Sequence, residues 1–132
     1  MMDLEQIRRV FSQDRFATQA AGIEIEAVEE NWARCSFAVQ PQHLNAAGTV
    51  MGGAIFTLAD FTFAVASNAG AMSTVSLASQ VTFLSAPKGS RLIAEAHCVK
   101  AGRTTCFYSI DIHDDLGNLV ASVTTNGFVK AK

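Results

Sequence analysis

The spacing of hydrophobic and polar positions changes along the chain, and each spacing predicts a different element. Near the start, apolar residues at i, i+3, i+6 and i+7 fall on one helical face, whereas the next segments alternate apolar and polar residues as strands do. These patterns predict a helix at 3–14, strands at 22–28 and 32–40, a turn at 29–31 and a loop at 41–48.

A different pattern begins at Gly52 and Gly53, which lead into a segment whose apolar residues occupy every helical face. This segment predicts a helix over 54–68 that other elements enclose on all sides. The remainder of the chain is rich in Val, Ile, Thr and Phe, as strands are. It predicts strands at 75–84, 91–100, 104–113 and 119–129, separated by turns at 87–89, 101–103 and 114–118.

This order of elements predicts an α+β fold in which one long antiparallel sheet curls around a central apolar helix. With 132 residues, the chain has the length of one domain, predicted to run over 1–132 with residues 1–20 as an N-terminal helix and lead-in. An open sheet leaves unpaired strand edges, which are prone to aggregate. Pairing of two sheets edge to edge in a dimer is therefore expected.

Composition and charge narrow the classes of function. Apolar residues make up 49% of the chain and the net charge is −2, which gives no electrostatic reason to bind nucleic acid or an anionic membrane. The first residues alternate charge with apolar positions, unlike a signal sequence, and the apolar run 50–66 is too short to span a membrane comfortably. We therefore expect a cytoplasmic protein without a nucleic-acid or membrane partner.

The candidate chemistry centres on Asp60, the only formally charged residue between Cys35 and Pro87. A carboxylate in an apolar setting is costly unless it is paired or needed, and desolvation raises its pKa toward the range of a general base. About two turns earlier, Gly52 and Gly53 would expose unpaired N–H groups at a helix start, where negative charge is favoured. Together these groups have the chemistry of an acyl-transfer site.

Each of these residues also has a structural interpretation. The glycine pair alone would fit a tight turn, and Asp60 alone would fit a buried carboxylate that bonds a backbone turn. Asn45 alone is typical of a loop-forming residue, although its amide could also orient a water or hold a carbonyl. The three cysteines lack metal-ligand spacing, so we expect buried apolar thiols and no metal site.

The segment HLNAAGTVMGGAIFTLADFTFAVASNAG closely resembles the signature of the PaaI-like acyl-CoA thioesterases of the hotdog-fold (4-hydroxybenzoyl-CoA thioesterase-like) superfamily. In that signature H-x-N is followed by H-G-G and then by L-A-D. The V-x-F-L strand at 81–84, the A-G-R-T turn at 101–104 and the D-x-x-G-x-L-V-A hairpin at 114–121 are similar to the family as well. The resemblance covers nearly the whole chain after the first helix.

The resemblance implies a hotdog fold and hydrolysis of an aromatic or medium-chain acyl-CoA to the free acid and coenzyme A, which is part of the substrate and not a cofactor. Asp60 matches the family's helix carboxylate, which acts as general base toward water or as nucleophile. Gly52 matches the residue whose N–H polarises the thioester carbonyl, and Asn45 matches the side chain that positions the lytic water. In the family each site joins two subunits, so a homodimer, within a homotetramer, is implied.

The family pattern also suggests which residues contact the substrate. Candidates are Met51 and Gly53 beside the carbonyl, and Gly102, Arg103, Thr104, Lys88 and Arg91 toward the coenzyme A nucleotide or phosphates. For the three basic residues among them, the alternative is a solvated surface charge.

The chain departs from the family pattern at Met51, where most relatives have His immediately before the glycine pair. Methionine donates neither a proton nor a strong hydrogen bond, but it fills space and contacts apolar groups. His43 fits the family's H-x-N position and is expected to be a loop residue. The departure motivates a second hypothesis, a non-catalytic protein that binds acyl-CoA or acyl lipids. A hotdog dehydratase would need a His beside the central helix, where the sequence has none.

Overall fold

A computed structural model of the protein describes residues 1–130, so the last two positions of the predicted domain lie outside the described residues. The helices are α1 (Leu4–Phe11) and α2 (Gly52–Asn68), with a π-helical turn at Phe16–Ala20 and a 3-10 turn at Pro41–His43. The strands are β1 (Glu24–Glu29), β2 (Trp32–Ala38), β3 (Thr74–Phe83), β4 (Arg91–Ala101), β5 (Thr105–Asp114) and β6 (Leu119–Val129).

The strands form one antiparallel sheet in the order β1-β2-β4-β5-β6-β3, which leaves β1 and β3 at the edges. The inner face of this sheet packs around α2, and Leu58, Val65, Phe37 and Ile110 are fully buried between them. Burial of these side chains is the main favourable contribution to folding. The predicted α+β architecture, a long antiparallel sheet wrapped around an apolar helix, is confirmed.

The prediction that α2 is enclosed on all sides is wrong for one stripe of the helix. Gly53 and Asp60 are exposed, and Thr57 and Ala64 are only partly buried. Because these positions recur at intervals of three and four residues, they form one continuous face that the single chain leaves uncovered. The helix also begins two residues earlier than predicted, since Met51 is its N-cap and both glycines lie in its first turn.

The first helix is shorter than predicted. It begins after Asp3, whose carboxylate accepts the N–H of Gln6 at 2.9 Å while the Gln6 amide oxygen accepts the N–H of Asp3 at 3.0 Å. The helix ends at Phe11, and the chain then forms the π-helical turn, which the sequence pattern did not predict. There the carbonyl of Asp14 accepts both the N–H and the hydroxyl of Thr18.

The hairpin between β5 and β6 holds a second loop in place through Asp114. The predicted turn is confirmed, and Gly117 adopts the expected positive φ of 89°. The Asp114 carboxylate accepts the backbone N–H groups of Leu116 and Asn118 and, across the fold, that of Lys88 at 2.9 Å. These hydrogen bonds hold the pKa of Asp114 well below its usual range. The carboxylate therefore fixes the loop that precedes β4.

Candidate functional site

The N-terminus of α2 presents two adjacent backbone N–H groups that have no partner in the described part of the chain, residues 1–130. Met51 caps the helix through its carbonyl, which accepts the N–H of Ala54 at 3.0 Å and that of Ile55 at 3.2 Å. Within residues 1–130, no acceptor takes the N–H of Gly52 or Gly53. Unpaired donors at the positive end of a helix dipole are well suited to bind a carbonyl oxygen that becomes negative.

Both glycines permit close contacts at this helix start. A Cβ atom on Gly52 would lie 3.1 Å from the Phe83 ring, and one on Gly53 would lie 3.3 Å from the Met51 methyl group. Any larger residue would force these side chains to shift and would narrow the approach to the two N–H groups. The structural and the functional interpretation of Gly52 and Gly53 are therefore compatible. The glycines allow close packing, and their N–H groups have no partner among residues 1–130.

The loop before α2 is organised by Asn45. Its side-chain oxygen accepts the N–H of Ala47 at 3.0 Å and the N–H of Thr49 at 3.1 Å. The N–H of Met51 then bonds the carbonyl of His43 at 2.8 Å, which closes the loop. The Asn45 amide nitrogen donates to no acceptor among residues 1–130, so it is available to a ligand or a water. Asn45 thus forms the loop with its oxygen and offers a donor with its nitrogen.

His43 has a structural role that occupies its whole ring. It is 3% exposed, stacks on Phe37 with ring centroids 4.0 Å apart, and accepts the N–H of Gln40 at Nδ1. Since Nδ1 is an acceptor, Nε2 carries the proton and donates it to the carbonyl of Ala21 at 2.7 Å. With both nitrogens engaged, His43 cannot supply the hydrogen bond that the family's His would provide at position 51.

Cavities open along the first three turns of α2. The Gly52 cleft, about 430 Å³, is lined by Val50, Gly52, Phe83, Leu84, Ser85 and Pro87 among others. The Met51 cavity, about 370 Å³, is lined by Phe16, Ala21, His43, Met51, Ala54 and Thr57 among others. The Asp60 cavity, about 370 Å³, is lined by Asp14, Arg15, Phe16, Phe56, Asp60 and Phe61 among others. Gly52 faces the first cavity and Gly53 the second, so the helix N-terminus lies between them.

Asp60 lies halfway along the uncovered face of α2. It is exposed in the single chain, which corrects the expectation of a buried carboxylate: residues 14–17 line the cavity beside it but leave the carboxylate open to solvent. Its surroundings nevertheless raise its pKa, first through desolvation by the neighbouring apolar side chains and second through the negative charge of Asp14. A carboxylate with a raised pKa is a better proton acceptor near neutral pH.

Asp60 and the N–H of Gly52 cannot act on one carbonyl within the same chain. They are eight residues apart on a straight helix, which corresponds to about 12 Å along its axis and about 80° around it. Catalytic contacts require about 3 Å. The turn with Gly102 lies at the opposite end of α2, where it lines a cavity together with Gly70 and Ala71. One chain therefore places Asn45 in the loop that leads into Met51 and Gly52, but it keeps Asp60 and this turn away from the helix start.

The candidate basic residues differ in their surroundings. Lys88 is exposed and follows Pro87 at the rim of the Gly52 cleft. Arg103 is exposed in the β4–β5 turn, between Gly102 and Thr104. Arg91, in contrast, pairs with Glu24 at 3.0 Å and donates to the Ser36 hydroxyl at 3.2 Å. Its guanidinium is thus engaged on the sheet surface, whereas Lys88 and Arg103 are open to a phosphate group.

Two further features concern metals and membranes. Within residues 1–130, no three His, Cys, Asp or Glu side chains gather in a way that could hold a metal ion. None of the helices in this part of the chain is long and apolar enough to cross a membrane. That the protein needs no cofactor stays a prediction.

The charge of Asp14 gives a first testable prediction. Replacing it in Asp14→Asn removes a like charge beside Asp60, so the pKa of Asp60 should fall and the acid limb of the pH–kcat/KM profile should move to lower pH. Below the wild-type limb, any reaction that uses Asp60 as a base should therefore run faster in the variant. The matched control is Glu5→Gln, an exposed carboxylate outside the cavities, which should leave the limb in place. If the acid limb of Asp14→Asn stayed where it is in the wild type, the charge of Asp14 would not raise the pKa of Asp60.

The sequence and the fold are similar to those of known proteins. A family model described as the thioesterase superfamily matches residues 47–121, which run from the end of the loop through α2, β3, β4 and β5 to the first residues of β6. The chain belongs to the thioesterase superfamily. Since the matched segment contains Gly52, Gly53 and Asp60, the resemblance recognised in the sequence motifs is confirmed.

Members of the superfamily with similar sequences come from several organisms. A protein of the esterase class from Archaeoglobus fulgidus is 35% identical over 95 residues, 71% of this chain and 62% of that protein. The acyl-coenzyme A thioesterase PaaI of Escherichia coli is 34% identical over 104 residues, 78% of this chain and 74% of the enzyme. The chain thus spans less than two thirds of the first of these curated relatives.

Solved structures of the superfamily show the same fold over nearly the whole chain. The structure of E. coli PaaI, from the phenylacetic acid degradation operon, has a TM-score of 0.85 at 26% identity and covers 96% of this chain and 92% of its own. A thioesterase-family protein of Streptococcus pneumoniae, crystallised with coenzyme A, has a TM-score of 0.82 at 28% identity, covering 95% and 98%. The hotdog fold is therefore confirmed.

Proposed function

We propose that this thioesterase-superfamily member hydrolyses acyl-CoA thioesters to a carboxylic acid and free coenzyme A. The observation that carries the proposal is the pair of unpartnered N–H groups on Gly52 and Gly53, placed between two cavities at the start of α2. One thioester carbonyl bound there would extend its two substituents in opposite directions. Relatives named acyl-coenzyme A thioesterases support this choice of substrate.

In the proposed reaction, the Asp60 carboxylate takes a proton from a water molecule whose oxygen attacks the thioester carbon. The carbonyl oxygen becomes an oxyanion and is stabilised by the N–H groups of Gly52 and Gly53, while Asn45 holds the water or the carbonyl through its free amide nitrogen. When the intermediate collapses, the C–S bond breaks. The proton held by Asp60 passes to the departing sulfur, which gives the acid and the thiol.

The proposed site combines two protomers, because Asp60 and Gly52 of one chain are too far apart. The edge strand β3 is the element best suited to join them: its ten residues, TVSLASQVTF, carry no charge, and Leu77 is 64% exposed. Long uncharged edges tend to pair with another strand. Antiparallel pairing of β3 with its copy would cover this edge in a two-fold dimer and bring the uncovered α2 faces toward one another.

The substrate's orientation follows from the character of the cavities. The Gly52 cleft continues to Pro87 and the exposed Lys88, which suits the pantetheine arm and a phosphate of coenzyme A. Arg103 and its neighbours Gly102 and Thr104 would contribute from the partner protomer, since in their own chain they lie at the far end of α2. With coenzyme A in the Gly52 cleft, the acyl group of the substrate would extend from the carbonyl toward Gly53 and the Met51 cavity.

A thiol-release assay over aromatic and aliphatic acyl-CoA thioesters tests the proposal directly. We expect release of free coenzyme A from at least one class, together with a dimer or tetramer by size-exclusion chromatography with light scattering. The second candidate, a non-catalytic acyl-CoA binding protein, is favoured by Met51 in place of the family's His. Saturable binding of the same thioesters without thiol release would decide for that candidate.

A further inference from the structure

The loop between β3 and β4, residues 84–90, forms one wall of the Gly52 cleft and is attached to the β5–β6 hairpin. Leu84, Ser85 and Pro87 line the cleft from this loop. The carbonyl of Val120, at the start of β6, accepts the N–H of Leu84 at 2.8 Å and that of Ser85 at 3.3 Å. The hairpin therefore fixes the first residues of this wall.

Two carboxylates of the hairpin hold the other end of the loop. Asp114, which is 2% exposed, accepts the N–H of Lys88 at 2.9 Å. Asp115 accepts the N–H of Ser90 at 2.9 Å and the Ser90 hydroxyl at 3.0 Å. A Cβ atom on Gly89 would collide with the Asp115 carboxylate, so the loop and the hairpin are in direct contact. The backbone of Lys88 is thus held in place, whereas its side chain is exposed.

We propose that Asp114 is a positioning residue for coenzyme A: by fixing the backbone of Lys88, it directs the Lys88 ammonium group to a phosphate of the ligand in the Gly52 cleft. This inference rests on the proposed thioesterase function, which places coenzyme A in that cleft. A lysine side chain has many rotamers, and a fixed backbone limits the positions that its charge can take. Four donors already occupy the Asp114 carboxylate, so it acts on the ligand only through Lys88.

A charge-neutral exchange of two residues removes the bond to Lys88 and keeps the bonds inside the hairpin. Asp114 Oδ1 accepts the N–H groups of Leu116 and Asn118, and Oδ2 accepts the Lys88 N–H and the Asn118 side-chain amide. In the double variant Asp114→Asn with Asn118→Asp, Oδ1 can keep its two bonds, and the amide at 114 donates to the carboxylate at 118. The Lys88 N–H then faces a donor instead of an acceptor.

The exchange should weaken the binding of coenzyme A without slowing the chemical step. We expect the Kd of free coenzyme A, measured by isothermal titration calorimetry, to rise by about tenfold, as for a charge-assisted hydrogen bond that is misplaced. The KM values for octanoyl-CoA and phenylacetyl-CoA should rise similarly, while kcat changes by less than about twofold. The matching pantetheine thioesters carry no phosphate, so their kcat/KM should not change. A general structural defect would instead lower kcat for both kinds of thioester.

A double-mutant cycle tests whether Asp114 acts through Lys88. Lys88→Met keeps the length of the side chain but removes its charge, so it should raise the Kd of coenzyme A by about tenfold. In the Lys88→Met background, the exchange should add less than about twofold, because the contact is already lost. Additive losses would overturn the inference, and so would an unchanged Kd in either the exchange variant or Lys88→Met.

Two further variants separate positioning from stability. Asp115→Ala removes the second carboxylate from the loop, and since Asp115 is exposed, the fold should be retained while the Kd of coenzyme A rises. Asp3→Asn is the matched control, because Asp3 accepts a backbone N–H at 2.9 Å in α1, outside the cleft, and it should leave the Kd unchanged. An equal effect of Asp3→Asn and the exchange would assign the loss to stability and overturn the inference.

The same measurements distinguish failure of this inference from failure of the proposed function. If the wild type binds coenzyme A but releases no thiol from any of the four thioesters, the thioesterase function falls, and the Kd values alone decide the role of Asp114. If it releases thiol and the exchange leaves both Kd and KM unchanged, only the inference falls. A wild type that does not bind coenzyme A at all would overturn both.

Discussion

Asp60→Asn is expected to lower kcat for acyl-CoA hydrolysis by about 10²- to 10⁴-fold, the usual contribution of a positioned general base. Asparagine has nearly the same shape as aspartate, but its amide cannot accept a proton from water. Because the side chain is exposed on α2 and no hydrogen bond to another described residue depends on it, the fold should be retained. Thiol release under saturating substrate measures the loss, and equilibrium binding of a non-hydrolysable acyl-CoA analogue verifies that the site still forms.

The control for this variant is Asp14→Asn, which removes a carboxylate from the same cavity but not the proposed base. It should retain activity at neutral pH and shift only the acid limb. If Asp60→Asn kept more than a tenth of the wild-type kcat, Asp60 would not be the base, and the raised pKa of this carboxyl would need another explanation.

The sequence predicts the sheet and the central helix well because both depend on repeated patterns. The apolar residues of α2 and the alternation in the strands each extend over many positions. A single residue that departs from the pattern therefore changes the predicted element little. The ends of α1 and the π-helical turn were missed because single contacts determine them, such as the two bonds that the Asp14 carbonyl accepts from Thr18. Local contacts of this kind leave no periodic signal.

The candidate site was predictable only in part for a related reason. The glycine pair and Asp60 stand out in the sequence, and the family motif connects them. The neighbours that modify them come from distant positions: Asp14 beside Asp60, Phe83 against Gly52, and Asp114 holding the loop with Lys88. Nothing in the spacing of these residues reports that the fold brings them together. The hydrogen bond of His43 to Ala21 likewise joins residues that are distant in the sequence, so the sequence does not predict it.

The oxyanion-binding role of the helix start can be tested without disturbing the helix. Gly52→Pro breaks none of the hydrogen bonds of the helix, because the N–H that it removes has no partner among residues 1–130, and proline is favoured at the first position of a helix. Met51 already has the extended conformation, φ −64° and ψ 139°, that a following proline requires. We expect kcat to fall by about 10²- to 10³-fold, as for the loss of one oxyanion donor.

The matched variant is Gly52→Ala, which keeps the N–H and introduces the same Cβ contact with the Phe83 ring at 3.1 Å. Both variants force Phe83 to move, so the difference between their kcat values isolates the amide. The proline variant should be at least tenfold slower than the alanine variant at similar melting temperature. Equal losses would assign the effect to the displaced ring and would falsify the role of the N–H.

A mixture of the two inactive variants tests whether the site is shared between protomers. If Gly52 of one chain works with Asp60 of its partner, a dimer of Gly52→Pro and Asp60→Asn has one intact site and one site with both defects. Random pairing makes half of the dimers mixed, so co-expression should restore about one quarter of wild-type kcat per dimer. A site contained in one chain would give no recovery, because every chain in the mixture carries a defect. Recovery therefore separates the shared site from the single-chain one, independently of which acyl group the protein prefers.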